Sequence, residues 1–134
     1  VQPGSIDAAL KKQLAVVSVM WTNNEIGAVQ PIAEIARRCA AAHVVFHTDA
    51  VQAFGKLSVR VDEVPVSLLS MSAHKIGGPK GVGALYVRKG TKISPMIHGG
   101  GHERGLRAGT EDVAGAVGFA TAAELAISER DAEM

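Results

Sequence analysis

The sequence has 134 residues, of which 47% are apolar, and a formal net charge of +1. This length suits one globular domain, and a charge so close to zero gives no basis for binding nucleic acid or an anionic membrane. No apolar run approaches the roughly 20 residues of a membrane span, and the N-terminus shows no signal peptide. The single cysteine, Cys39, excludes an internal disulfide and fits a reducing, cytoplasmic compartment.

The first half of the chain predicts an α/β arrangement, in keeping with few aromatic residues and much alanine, valine and glycine. Residues 5–7 would cap a short helix over 8–12, and the β-prone run 14–20 predicts a buried strand. Pro31 opens a helix over 32–42, and 44–48 predict the next strand, so a right-handed parallel pair is expected. The helix face expected to be buried carries Ile32, Ile35, Ala36 and Cys39. Cys39 is therefore predicted to be a small core side chain and not a nucleophile.

Two asparagines follow the first strand, in the loop 21–27. Ligands of open parallel sheets bind beyond the carboxyl ends of the strands, so the amides of Asn23 and Asn24 could hydrogen-bond a ligand. Asparagine is also a common loop residue for purely conformational reasons. Both interpretations stay open at these two positions.

Asp49 lies at the carboxyl end of the second strand, and Gln52 follows three residues later. A carboxylate here could keep a pyridinium nitrogen protonated, and Gln52 could reach a ring hydroxyl. Asp49 could also cap a short helix over 50–54, and the two roles are compatible. His47 fits a packed strand residue equally well, so Asp49 is the stronger candidate.

Lys75 stands just past the apolar run 66–71, which predicts a buried strand ending in a tight loop of glycines and a proline. Lysine is the usual Schiff-base residue and shifts its pKa readily when partly buried. Ser72 and His74 precede it. A lysine before Gly-Gly-Pro would by itself be a surface residue on a turn, and only the rest of the chain favours a functional role.

Residues 81–88 predict a further strand, antiparallel to its neighbour because the connection has no room for a helix. The segment 98–110 then combines five glycines with two arginines and Thr110, which favours anion binding before a helix. Thr110, Glu111 or Asp112 would cap that helix. Its core face is expected to contain Val113, Val117, Ala120 and Leu125. A metal held by His98, His102 and Glu103 is not expected, and the glycines do not form the dinucleotide-binding pattern.

In this order and at these spacings, four stretches resemble the cysteine desulfurases (the NifS/IscS-like group), class V aminotransferases among the fold-type-I pyridoxal-phosphate enzymes. They are 23–27, 47–52, 72–81 and 98–110. The resemblance implies an α/β fold with a mostly parallel sheet and flanking helices. It implies that this chain is an internal part of the large cofactor-binding domain, without the N-terminal segment and the C-terminal small domain.

The resemblance also assigns roles to residues. Lys75 would bind pyridoxal 5'-phosphate as a Schiff base and move protons, and Asp49 would pair with the pyridine nitrogen. Asn24 and Gln52 would touch the ring substituents, and Ser72 and His74 would hold the phosphate. Thr110 would reach the phosphate of the partner subunit in a homodimer.

The implied reaction takes sulfur from L-cysteine, leaving alanine and a persulfide on an enzyme cysteine. A sulfur acceptor or iron–sulfur scaffold protein then receives the sulfur. The persulfide cysteine of the family lies beyond this chain, and Cys39 does not match it, so the chain alone is expected to be inactive. The alternatives are a selenocysteine lyase or another class V enzyme, and a cofactor-free interaction fragment.

Overall fold

A computed structural model describes residues 1–133, and their strands form a single mostly parallel sheet. The strands are β1 (Val16–Met20), β2 (Val45–Asp49), β3 (Leu68–Ser72) and β4 (Gly83–Val87). They lie side by side in chain order, with β1, β2 and β3 parallel and β4 antiparallel to β3. Both the parallel pair and the antiparallel last strand were predicted, and both are confirmed.

The three α-helices among these residues are α1 (Pro3–Leu10), α2 (Ile32–Ala41) and α3 (Val113–Glu133). Helix α2 begins where the sequence predicts. The prediction for α1 was wrong at its start: the helix begins at Pro3, and Gln2 precedes it without a side-chain cap. Proline suits the first turn of a helix, because its fixed φ is helical and its missing N–H has no partner there. Residues 50–54 form successive turns instead of the predicted short helix.

The main core lies between one face of the sheet and helices α1 and α2. The predicted face of α2 is confirmed: its four small and branched side chains are all 1% exposed or less. Phe46 and Leu69 are buried from the sheet side. Thr48 is buried too, and its hydroxyl donates to the Val19 carbonyl at 2.9 Å, which satisfies the polar atom and joins β2 to β1.

Helix α3 packs on the segment after β3 with a different face from the one expected. Val113, Val117 and Leu125 are 69%, 61% and 53% exposed, and Ala120 is exposed as well. Among the positions of α3 whose burial is described, the buried ones are Gly115, Phe119 and Ala122, and the Phe119 ring meets Phe54 edge-on at 6.2 Å. The prediction was wrong because the buried face combines one aromatic ring with small residues that allow close approach, while the aliphatic side chains lie on the other face.

Within residues 1–133, no helix combines the length and the apolar character that crossing a membrane requires.

Candidate active site

The carboxyl ends of β1, β2 and β3 bring the predicted site segments to one edge of the sheet. Asp49 is in register with Ser70, and the Ala50 N–H donates to the Ser70 carbonyl at 3.0 Å. The Trp21 N–H donates to the Asp49 carbonyl at 2.8 Å, which attaches the loop after β1 to the end of β2. The segments that carry Asn24, Asp49 and Lys75 therefore start from neighbouring strand ends, as the parallel topology predicts.

Asp49 is half-buried at the end of β2. Its Oδ1 accepts the Val51 N–H at 2.9 Å, a local hydrogen bond that aspartate often makes to the residue two positions on. The capping role is thus present, although it stabilises a turn and not the predicted helix. The ion pairs found among residues 1–133 do not include Asp49, so its negative charge is available to a ligand.

The two asparagines after β1 have different environments. Oδ1 of Asn23 accepts the N–H groups of Glu25 and Ile26 at 2.9 and 3.0 Å, so this side chain shapes the turn. Asn24 is exposed on the same turn. Gln52 is half-buried, and its Oε1 accepts from Nζ of Lys56 at 3.2 Å.

Ser72, His74 and Lys75 lie at the end of β3. Ser72 is the last residue of the strand, and its Oγ is 2.7 Å from Nδ1 of His74. A 3₁₀ turn, Ala73–Ile76, comes directly after the strand, where the sequence predicted a plain loop. Gly77 ends it with φ of 78°, a left-handed conformation that glycine adopts without strain. Lys75 is exposed on this turn and lines an open cavity of ≈ 680 Å³ beside α3.

The glycine-rich segment is attached to the start of α3 by one side-chain pair. Nδ1 of His102 lies 2.7 Å from Oε1 of Glu111. The pKa of the Glu111 carboxyl is lowered, first by its own backbone N–H and then by His102. Asp112 is the residue that caps α3, since its Oδ1 accepts the Gly115 N–H at 2.9 Å. Thr110 is exposed just before this cap.

No group of three His, Cys, Asp or Glu side chains in the described part of the chain is arranged to hold a metal ion.

One feature of this edge was missed from the sequence. His47, on β2, lies between two serines of the neighbouring strands: its Nδ1 is 2.7 Å from Ser18 Oγ and its Nε2 is 3.2 Å from Ser70 Oγ. Burial lowers the pKa of His47, and the negative charge of Asp49 opposes this shift. The available signal was a serine inside each of two otherwise apolar strands.

Comparison with known proteins places the chain in a family. The family model described as "Aminotransferase class-V" matches residues 1–134. The chain belongs to this family.

Within the family, the relatives with strong similarity are named cysteine desulfurases, which confirms the predicted resemblance. The chain is 54% identical over 134 residues to "Cysteine desulfurase IscS" of Dictyoglomus turgidum, covering 100% of this chain and 34% of that protein. It is 55% identical over 133 residues to the protein of the same name from Anaeromyxobacter dehalogenans, covering 98% and 33%. The chain therefore spans about a third of the length of these relatives.

Solved structures agree with this placement. A "NifS-like protein" superposes with a TM-score of 0.92 at 43% identity over 98% of this chain and 36% of that one. A structure described as "SspA in complex with cysteine" gives a TM-score of 0.89 at 41% identity, over 92% and 36%. The mostly parallel sheet with flanking helices is thus the fold of part of a fold-type-I enzyme, as predicted.

Proposed function

We propose that the whole protein is a pyridoxal-phosphate-dependent cysteine desulfurase. It takes sulfur from L-cysteine, releases alanine, and passes persulfide sulfur to an acceptor protein for iron–sulfur cluster or thio-cofactor assembly. The observation that carries the proposal is the convergence of Asp49, the Ser72–His74 pair and Lys75 on neighbouring strand ends. The similarity to named cysteine desulfurases supports the choice of reaction.

The donor set at this edge fits pyridoxal phosphate. The ligand has a ring nitrogen that is positively charged when protonated, a phenolic oxygen, an aldehyde and a phosphate. The edge offers a carboxylate with no ion-pair partner among the described residues, an amide, a primary amine and a hydroxyl beside an imidazole. Each ligand group therefore has a residue of complementary chemistry.

The residues of this chain then take distinct roles. Asp49 holds the proton on the ring nitrogen by its charge, and Asn24 and Gln52 orient the ring substituents. Ser72 and His74 donate to the phosphate, and Thr110 donates to the phosphate bound by the partner subunit of a homodimer. When bound, the cofactor supplies an electron sink for the carbon adjacent to the amine. Lys75 would hold the cofactor through its aldehyde carbon and, when its amine is free, would move the proton of the substrate carbon.

A hydrogen bond from Lys56 determines which atoms of the Gln52 amide can contact a ligand. The Lys56 amine donates to Oε1 of Gln52, which leaves the amide N–H groups of Gln52 as its free donors. These are the atoms that a phenolic oxygen needs. The existing hydrogen bond thus orients Gln52 for the proposed contact.

Cys39 is not the persulfide carrier in this proposal. The side chain is completely buried in the core under α2, and burial raises the pKa of its thiol. A buried thiol in its neutral form is a poor nucleophile and has no access to an acceptor. The carrier is therefore a cysteine outside residues 1–134, and this chain supplies the middle of the large domain, in a cytoplasmic enzyme.

The test uses the whole protein loaded with pyridoxal phosphate and then desalted. A visible absorption band that is retained in the native protein and lost in Lys75→Ala is expected, with Lys89→Ala as a matched control for an exposed lysine. Incubation with L-cysteine and an added dithiol, which reduces the enzyme persulfide, should release alanine and sulfide from the native protein and the control only. Retention of the band by Lys75→Ala, or release of alanine from L-selenocysteine but not from L-cysteine, would overturn the proposal.

A further inference from the structure

The Ser18–His47–Ser70 bridge lies on the same face of the sheet as Asp49. His47 and Asp49 are two positions apart on β2, so their side chains point to the same side. In the register, Ser18 of β1 is the partner of His47, and Ser70 of β3 is the partner of Asp49. Three adjacent strands thus each contribute one polar side chain on the face of the sheet that carries Asp49, the residue proposed to contact the cofactor.

Both ring nitrogens of His47 have a hydroxyl partner, at 2.7 and 3.2 Å. A serine hydroxyl can donate or accept, so one serine can donate to the unprotonated nitrogen while the other accepts from the protonated one. The neutral ring is fully satisfied in this way. Two hydroxyls could also accept from a charged imidazolium, but the half-buried ring has no carboxylate among its hydrogen-bond partners or in the ion pairs of the described residues to stabilise that charge.

The groups that contact the His47 ring from the strands on either side are neutral hydroxyls, those of Ser18 on β1 and Ser70 on β3. In the described part of the chain, Asp49 is the one charged group whose field acts on His47, and it opposes the effect of burial, which is the larger of the two. The geometry and the surroundings therefore agree on a neutral ring.

We propose that Ser18, His47 and Ser70 form a neutral bridge that leaves the Asp49 carboxylate uncompensated, so that its full charge is directed to the protonated ring nitrogen of pyridoxal phosphate. A cationic His47 would compete for the same carboxylate. His47 is accordingly a positioning residue and does not contact the reacting atoms. This inference rests on the proposed function, because it assigns the cofactor as the cation that Asp49 receives.

The test compares His47→Gln with His47→Lys in the whole protein. Glutamine keeps hydrogen-bonding groups without charge, whereas lysine places a cation near Asp49. A neighbouring charge typically shifts a pKa by about 1 to 3 units, and each unit is a tenfold change in the protonated ratio. We expect pyridoxal phosphate affinity within about threefold of native for His47→Gln and at least about tenfold weaker for His47→Lys. The absorbance of bound cofactor should also change with pH in His47→Lys alone.

A second measurement does not depend on the cofactor. Titration of the His47 imidazole by NMR, assigned by its absence in His47→Gln, should give a pKa below the ordinary 6.5. A value at or above 6.5, or equal affinity and pH profile in the Gln and Lys variants, would overturn the inference. Failure of the native protein to bind pyridoxal phosphate would instead overturn the proposed function, and the NMR result would still decide whether the bridge is neutral.

Discussion

Nδ1 of His102 lies 2.7 Å from Oε1 of Glu111, which ties the glycine-rich segment to the residues just before α3. The segment between them includes Glu103 and Arg104, with φ of 47° and 58°. These are left-handed conformations that residues with a side chain rarely adopt, so the chain here follows one specific path. The pair spans nine positions and closes that path into a loop.

Removing the charge of Glu111 should loosen this loop without unfolding the protein. Both side chains are about half exposed, at 40% and 45%, and solvent screens exposed ion pairs so that they add little to stability. Glu111→Gln should therefore leave the urea midpoint nearly unchanged. Hydrogen exchange of amides 99–109 should become faster, whereas Glu124→Gln, on the exposed side of α3, should leave it as in the native protein. Equal exchange in both variants would show that the pair does not hold the loop.

Gly115 should be intolerant of a side chain. A Cβ at this position would overlap the carboxylate of Asp112 and a methyl of Val82. Gly115→Ala is expected to lower the free energy of unfolding by about 1 to 3 kcal/mol, as overpacking usually does, measured by urea denaturation. Gly101→Ala is the control, because a Cβ there meets nothing within 4 Å. A loss of stability in the control of the same size would contradict the assigned contact.

Arg88 should stabilise the connection between β2 and β3. Its guanidinium donates to three carbonyls, those of Val61, Val64 and Val66, at 2.5, 2.8 and 2.6 Å. Arg88→Ala leaves these oxygens without their donor, and we expect the free energy of unfolding to fall by about 2 kcal/mol.

Arg88→Lys should recover only part of this loss, because an ammonium cannot reproduce the planar fork of donors. Arg37→Ala on the exposed side of α2 serves as the control and should change stability by less than about 0.5 kcal/mol. The urea midpoints of the three variants make the comparison. If Arg88→Ala were as stable as Arg37→Ala, the three hydrogen bonds of the Arg88 guanidinium would make no net contribution to the free energy of unfolding.

Cys39 should be protected from thiol reagents while the protein is folded. Burial raises the pKa of its thiol, and the side chain is 0% exposed. Alkylation, followed by peptide mapping, should find this cysteine unmodified at pH 8 in buffer and modified in denaturing urea. Rapid alkylation of Cys39 under native conditions would show that α2 opens readily from the sheet.

Periodicity predicted the elements whose burial follows from large or branched side chains. Helix α2 begins at Ile32 as expected, because isoleucine and alanine recur at helical spacing on one face. Runs of branched side chains likewise predicted the strands β1 and β2, but β1 is not the buried strand expected: Val17 is its one buried residue, and Val16 is 48% exposed. Helix α3 shows the limit of this argument, since close approach through Gly115 and Ala122 decided which side is buried. Small residues such as glycine and alanine contribute weakly to a hydropathy pattern, although they are the residues that allow two segments to pack closely.

For the candidate site, motif order predicted which segments meet, but not how each side chain is used. Asn23 shapes its turn through local hydrogen bonds, one of the two interpretations that the sequence left open. That His47 lies between two serines depends on strand register. Register is set by contacts across the sheet, so it cannot be obtained from one strand alone. The sequence predicted a loop at Lys75, whereas the residue is exposed on a 3₁₀ turn. This turn packs against α3, a contact with a segment far along the chain.

The sheet has a strand order equal to its chain order. Among the four strands of residues 1–133, each new strand therefore adds to the outer edge of the one made just before it, and none inserts between two that already pair. During synthesis this lets the sheet grow one strand at a time as the chain leaves the ribosome, with each loop closed over a short length of chain. Among these four strands, the edge that receives the next strand is then always the most recent one, and α3, which follows them in the chain, packs on the turn after β3.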